Sequence, residues 1–119
     1  MTEFVFTSVP HIETMYPAAA YGALQPVVKS TGLDMTLNDI NLHLKQIAPT
    51  EVFDEITDWS MFAKNTLSDV ANDWLLKAYT DCINLNKSGW LGISVFSFVV
   101  TRATERLLRW LQTVDHNYT

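Results

Sequence analysis

The stretch "KSGWLGISVFSFVVTRATERLLRWLQ", Lys87 to Gln112, decides the fold. It reads as a glycine turn, a buried strand, a short polar turn and an amphipathic helix. "LGISVF" (Leu91–Phe96) is nearly continuous in apolar residues, as a strand covered on both faces should be. We place this strand at Trp90–Ser97 and the helix at Val100–Val114. Ala103, Leu107, Trp110, Leu111 and Val114 form the helix's buried stripe.

Upstream the same alternation recurs. "TEFVFTSV" (Thr2–Val9) is β-branched and aromatic and ends at Pro10, which predicts a first strand. A loop leads to Pro17, suited to a first helical turn, and then to a helix over Ala18–Ser30. Tyr21, Leu24 and Val28 share one face of that helix, Pro26 is expected to kink it, and Gly32 closes it. "LDMTLN" (Leu33–Asn38) alternates through Leu33, Met35 and Leu37 and predicts the second strand. Two short helical pieces follow, the second turning Val52, Phe53 and Ile56 inward. A longer helix runs from about Ser68, its N-cap, to about Asn86, with Gly89 beyond it. Its stripe is Val70, Ala71, Trp74, Leu75, Ala78 and Cys82.

Strands that alternate with helices imply a parallel sheet with right-handed crossovers. The fold class is therefore α/β: a doubly wound, Rossmann/flavodoxin-like sheet with flanking helices, incomplete at three strands. The first strand is central, between the second and third. The third strand is then an open edge with no visible protection. Either a partner chain supplies a strand there, or these 119 residues are the first part of a longer polypeptide; the second is the expectation.

Bulk composition narrows the function. Hydrophobic content of 48% and charged content of 18% suit a folded chain rather than a disordered one. A net charge of −5, with only 8 Lys and Arg, disfavours nucleic acid as a partner. Arg102, Arg106 and Arg109 are the nearest approach to a basic patch and read as a solvated helix face. His43 and His116 read as solvent-facing. The single cysteine, Cys82, excludes an internal disulfide and a Cys-rich metal site, and reads as a buried small hydrophobe. No signal peptide and no apolar run of membrane-spanning length is present, so a cytoplasmic protein without a membrane partner is expected. Phosphate loops, HExxH and GxSxG are missing, and the chain alone offers no catalytic residue.

In such a sheet the ligand crevice lies beyond the carboxyl ends of the strands. The groups expected there are Ser8, Val9, Pro10 and His11, then Asn38, Asp39 and Asn41, then Ser94, Phe96, Ser97 and Phe98. Asp39, Asn41 and Ser97 have an alternative role as helix caps, which coexists with ligand binding.

The region from Val9 to Gln46 carries Pro10, then Pro17 with Ala18–Ala20, then Gly32, then Asp39-Ile40-Asn41. With Gly92-Ile93-Ser94-Val95-Phe96-Ser97 later in the chain, it resembles the N-terminal cobalamin (B12)-binding domain of B12-dependent radical SAM enzymes. The resemblance spans most of the chain through loose motifs. It implies that Pro10, Asp39, Asn41, Ser94 and Ser97 hold the corrin at the strand ends, and that a radical SAM domain follows in the same polypeptide. It further implies a parent enzyme that cleaves S-adenosylmethionine reductively, with cobalamin as a methyl carrier. Two departures stand out. "SVPHIET" lacks the Asp-x-His-x-x-Gly of methionine-synthase-type domains, so His11 is not carried over as a cobalt ligand. Cys-x-x-x-Cys-x-x-Cys is absent, so the [4Fe–4S] cluster and S-adenosylmethionine belong to the downstream part. The alternative is a non-enzymatic α/β interaction or receiver-like module that pairs through its sheet edge. Glu13 is the only carboxylate in its first loop, which makes phosphoacceptor chemistry a poor fit.

Overall fold

A computed structural model describes residues 3–10, 19–58, 66–93, 95 and 98–119. The strands are β1 (Glu3–Ser8), β2 (Asp34–Asp39), β3 (Ser88–Ile93) and β4 (Asn117–Tyr118). The helices are α1 (Ala19–Ser30), α2 (Ile40–Ile47), α3 (Thr50–Ile56), α4 (Asp69–Cys82) and α5 (Phe98–Thr113). The sheet is parallel throughout, in the order β2-β1-β3-β4. It is the expected α/β architecture, compatible with a Rossmann/flavodoxin-like fold.

The strand count corrects the sequence reading. β3 is not the sheet's edge, because the last residues of the chain return as β4. Leu91 N–H donates to the Thr119 carbonyl (2.9 Å), and Thr119 N–H donates to the Gly89 carbonyl (2.7 Å). The Tyr118 hydroxyl donates to the Asn84 carbonyl (2.8 Å), and Tyr118 N–H donates to His116 Nδ1 (3.2 Å), so His116 anchors β4 rather than standing free in solvent. A two-residue strand carries no readable periodicity, which is why the sequence hides it. Gly89 sits in this pairing at φ 146°, a conformation that L side chains rarely adopt.

Chain direction distributes the helices. The β1-to-β2 connection runs one way across the sheet, while β2-to-β3 and β3-to-β4 run the other. Right-handed crossovers then put α1 on one face and α2 to α5 on the opposite face. Strand alternation assigns the side chains accordingly. Val9, Leu91, Ile93 and Tyr118 join one core with Ile40 and Leu44 of α2, Phe53 and Ile56 of α3, Leu75 and Ala78 of α4, and Leu107 and Leu111 of α5. On the α1 face, Tyr21 packs against Phe6 (centroids 6.3 Å apart) and its hydroxyl donates to the Met35 carbonyl (3.4 Å). Phe4 lies over Gly92: a Cβ there would stand 2.6 Å from Phe4 Cζ.

Helix boundaries follow their caps. Asp39 accepts from Leu42 N–H (2.9 Å) and starts α2 directly from β2. Ser68 Oγ accepts from Ala71 N–H (3.2 Å) at the start of α4. Glu55 clamps that turn, accepting from Ser68 N–H (2.8 Å) and from the Ser68 hydroxyl (2.9 Å). Pro26 lies inside α1, as expected. Several boundaries and faces depart from the sequence reading, and β3 spans Ser88–Ile93 rather than Trp90–Ser97. α4 ends at Cys82 rather than near Asn86. Val70 is 60% exposed while Tyr79 takes the buried place, and Leu24 on α1 is 41% exposed. No helix among the described residues is long and apolar enough to cross a membrane.

Candidate functional site

The chain leaves β1 for β2 on one side and returns to β3 on the other, so the topological switch point lies between β1 and β3. Their carboxyl ends diverge there, and open α/β sheets receive ligands at such points. β1 presents Thr7, Ser8, Val9 and Pro10; β3 presents Ile93, with the exposed Val95 beyond it. Asp39 ends the neighbouring β2.

The five residues expected to hold a ligand divide in the structure. Pro10 is fully buried beneath the crest. Asp39 is half-buried, with one carboxylate oxygen spent on the α2 cap. Asn41 is 2% exposed within the first turn of α2 and already has partners. For Asp39 the capping reading therefore holds. Ser94 and Ser97 lie outside the described residues, as do His11, Glu13 and Pro17.

Sequence reasoning missed Thr7. It is 1% exposed, and its hydroxyl has no hydrogen-bond partner among the described residues. Its register neighbours are Asn38 on β2 and Ile93 on β3, so it stands in the β1/β3 seam near the carboxyl edge. Buried hydroxyls are nearly always partnered, and one left alone costs about 1–3 kcal/mol. The signal was present in "VFTSV": Val5, Thr7 and Val9 form one row along the strand, and Thr7 is its only polar member.

Other reactive groups are quiet or already paired. Burial, then the charges of Asp81 and Asp39, push the Cys82 thiol up to about 11, so it is a protonated thiol at neutral pH. His43 Nε2 meets Asp81 Oδ2 at 3.0 Å, and Lys77 Nζ reaches the same oxygen at 3.3 Å. His43 is thus a half-buried interhelical contact, not a solvent-facing residue. Among the described residues no group of three His, Cys, Asp or Glu side chains is placed to hold a metal ion. The arginines of α5 differ from one another. Arg102 donates to Glu105 (2.9 Å) and Arg109 is exposed, but Arg106 is half-buried, which corrects the reading of a uniformly solvated face. The Ser68 hydroxyl meets the Glu55 carboxylate, but the same oxygen caps α4. The arrangement is suited to binding. No protein-family profile, curated protein or solved structure matches the chain.

Proposed function

We propose that this chain is a cofactor-binding α/β module that seats cobalamin at the carboxyl ends of β1 and β3. The observation that carries the reading is the unpartnered Thr7 hydroxyl in that seam. Corrin side chains end in amides and the nucleotide tail carries a phosphate, so the cofactor is rich in the acceptors that this donor lacks. Thr7 and Ser8 would hold the ligand, with Asp39 beside them through its second carboxylate oxygen and Ser94 and Ser97 from the β3–α5 turn. Pro10 and Asn41 shape the floor from beneath. Bound cobalamin supplies a cobalt that carries a methyl group.

The test is direct. The purified chain, incubated with hydroxocobalamin and freed of excess by gel filtration, is expected to co-elute with the cofactor's visible spectrum. A colourless protein that binds no cobalamin sinks the reading.

One observation favours the alternative of an interaction or receiver-like module. β4 is only two residues long, so beyond Leu91 the outer edge of β3 has no strand among the described residues. Sedimentation of the chain as a specific dimer, without cobalamin affinity, would favour that second reading.

A further inference from the structure

A second pair of unpartnered groups lies on the far side of the helical layer, in the seam between α4 and α5. Tyr79 is 1% exposed, and among the described residues its hydroxyl has no hydrogen-bond partner. Arg106 Nη2 is equally enclosed and equally unpartnered. Both line one cleft of about 390 Å³, together with Arg109 and an apolar wall of Leu75, Leu76 and Trp110. Trp110 packs on the Tyr79 ring, with centroids 5.3 Å apart and planes at 41°.

Like charges outnumber the carboxylates among the described neighbours of Arg106. Arg102, Glu105 and Arg109 are its charged neighbours, and Glu105 is already held by Arg102 at 2.9 Å. Two arginines therefore face a mostly apolar cleft, and among the described residues the neighbouring carboxylate, Glu105, makes its ion pair with Arg102. An enclosed guanidinium N–H and an enclosed phenol are both donors, so the partner they lack is an acceptor. An anion satisfies both at once, and the planar guanidinium matches a carboxylate. A dianionic phosphate pays a larger desolvation cost against the same apolar wall. The volume falls within the range of small-ligand sites.

We propose that the α4–α5 cleft binds a small amphipathic carboxylate, held by Arg106 and the Tyr79 hydroxyl, with its apolar body against Trp110 and Leu76. The site is independent of the β1/β3 crest, and neither reading depends on the other.

Calorimetric titration of the 119-residue chain with 4-phenylbutyrate tests it, with 4-phenylbutyramide and inorganic phosphate as comparison arms. The carboxylate is expected to bind, and both other probes at least about tenfold more weakly. Tyr79→Phe keeps the ring against Trp110 and removes only the unpartnered hydroxyl. It is expected to melt at the same or a higher temperature while losing about tenfold in affinity. Arg106→Met is expected to abolish binding, and Arg109→Met to weaken it less. No binding at millimolar carboxylate, equal binding of the amide, preference for phosphate, or unchanged affinity in Tyr79→Phe would each overturn the proposal. Should Arg106→Met fail to fold, the Tyr79→Phe result decides alone.

Discussion

On one side of the sheet, Val9, Leu91 and Ile93 pack beneath four helices, with Ile40, Leu44 and Leu107 at 0% exposure. On the other side α1 is the only helix among the described residues, and Trp90 is 50% exposed. The strands are the same; the difference comes from the direction of the connections. Two crossovers run toward β4 and place their helices together, while the single crossover toward β2 places one helix opposite. Burial in this fold is thus a property of chain direction as much as of residue type.

The comparison breaks most visibly under truncation. Leu44→Ala on the crowded face leaves a cavity and is expected to cost about 2–5 kcal/mol in chemical denaturation. Trp90→Ala on the open face removes a larger side chain, yet is expected to cost only about 2 kcal/mol, at the low end of that range, because half of it is already in water. The reverse order would show that the open face is covered in solution.

A second change probes a tight contact of the open face. Gly92→Ala drives a methyl to within 2.6 Å of Phe4 Cζ, so the ring must move. Overpacking of this kind costs about 1–3 kcal/mol. Phe4→Leu in the same chain is expected to recover much of that loss. Simple additivity of the two changes would mean that Phe4 and Gly92 do not touch.

The sequence made the architecture legible where long periodic segments carried it. The stripe Ala103, Leu107, Trp110, Leu111 and Val114 places α5 as observed, and Val52, Phe53 and Ile56 place α3. Asp39 and Ser68 announce their helices because a short polar side chain satisfies the first free N–H groups of a helix. Short or context-dependent features were not legible. β4 is too short for a pattern. "LGISVF" reads as a strand between two helical layers, but composition cannot report the direction of a crossover, so it does not tell which face receives one helix and which receives four. Near the strand ends the residues conspicuous in sequence are Pro10, Asp39, Asn41, Ser94 and Ser97. The groups that lack partners, Thr7, Tyr79 and Arg106, look ordinary in sequence, since an unmet hydrogen bond exists only after packing.

The smallest expected effect lies in the outer layer of the crowded face, in the partly exposed His43–Asp81–Lys77 contact between α2 and α4. The hydrogen bond from His43, then that from Lys77, holds the Asp81 carboxyl below its ordinary value. A carboxylate depressed in the folded state stabilises above its unfolded value, and the contribution is lost as pH falls through the folded one. Asp81→Asn is therefore expected to be slightly less stable than wild type near neutral pH and equal to it in strong acid. A gap that widens toward acid would contradict the assignment.

Most direct of all is equilibrium dialysis of hydroxocobalamin against the wild-type chain and Thr7→Val. The substitution is isosteric and removes a buried hydroxyl that has no partner, so the variant is expected to fold at least as stably as wild type. If the β1/β3 crest holds the cofactor through that hydroxyl, the wild type retains cobalamin and Thr7→Val binds it about tenfold more weakly. Equal retention by the two proteins, or none by either, would contradict the assignment of cobalamin to this seam.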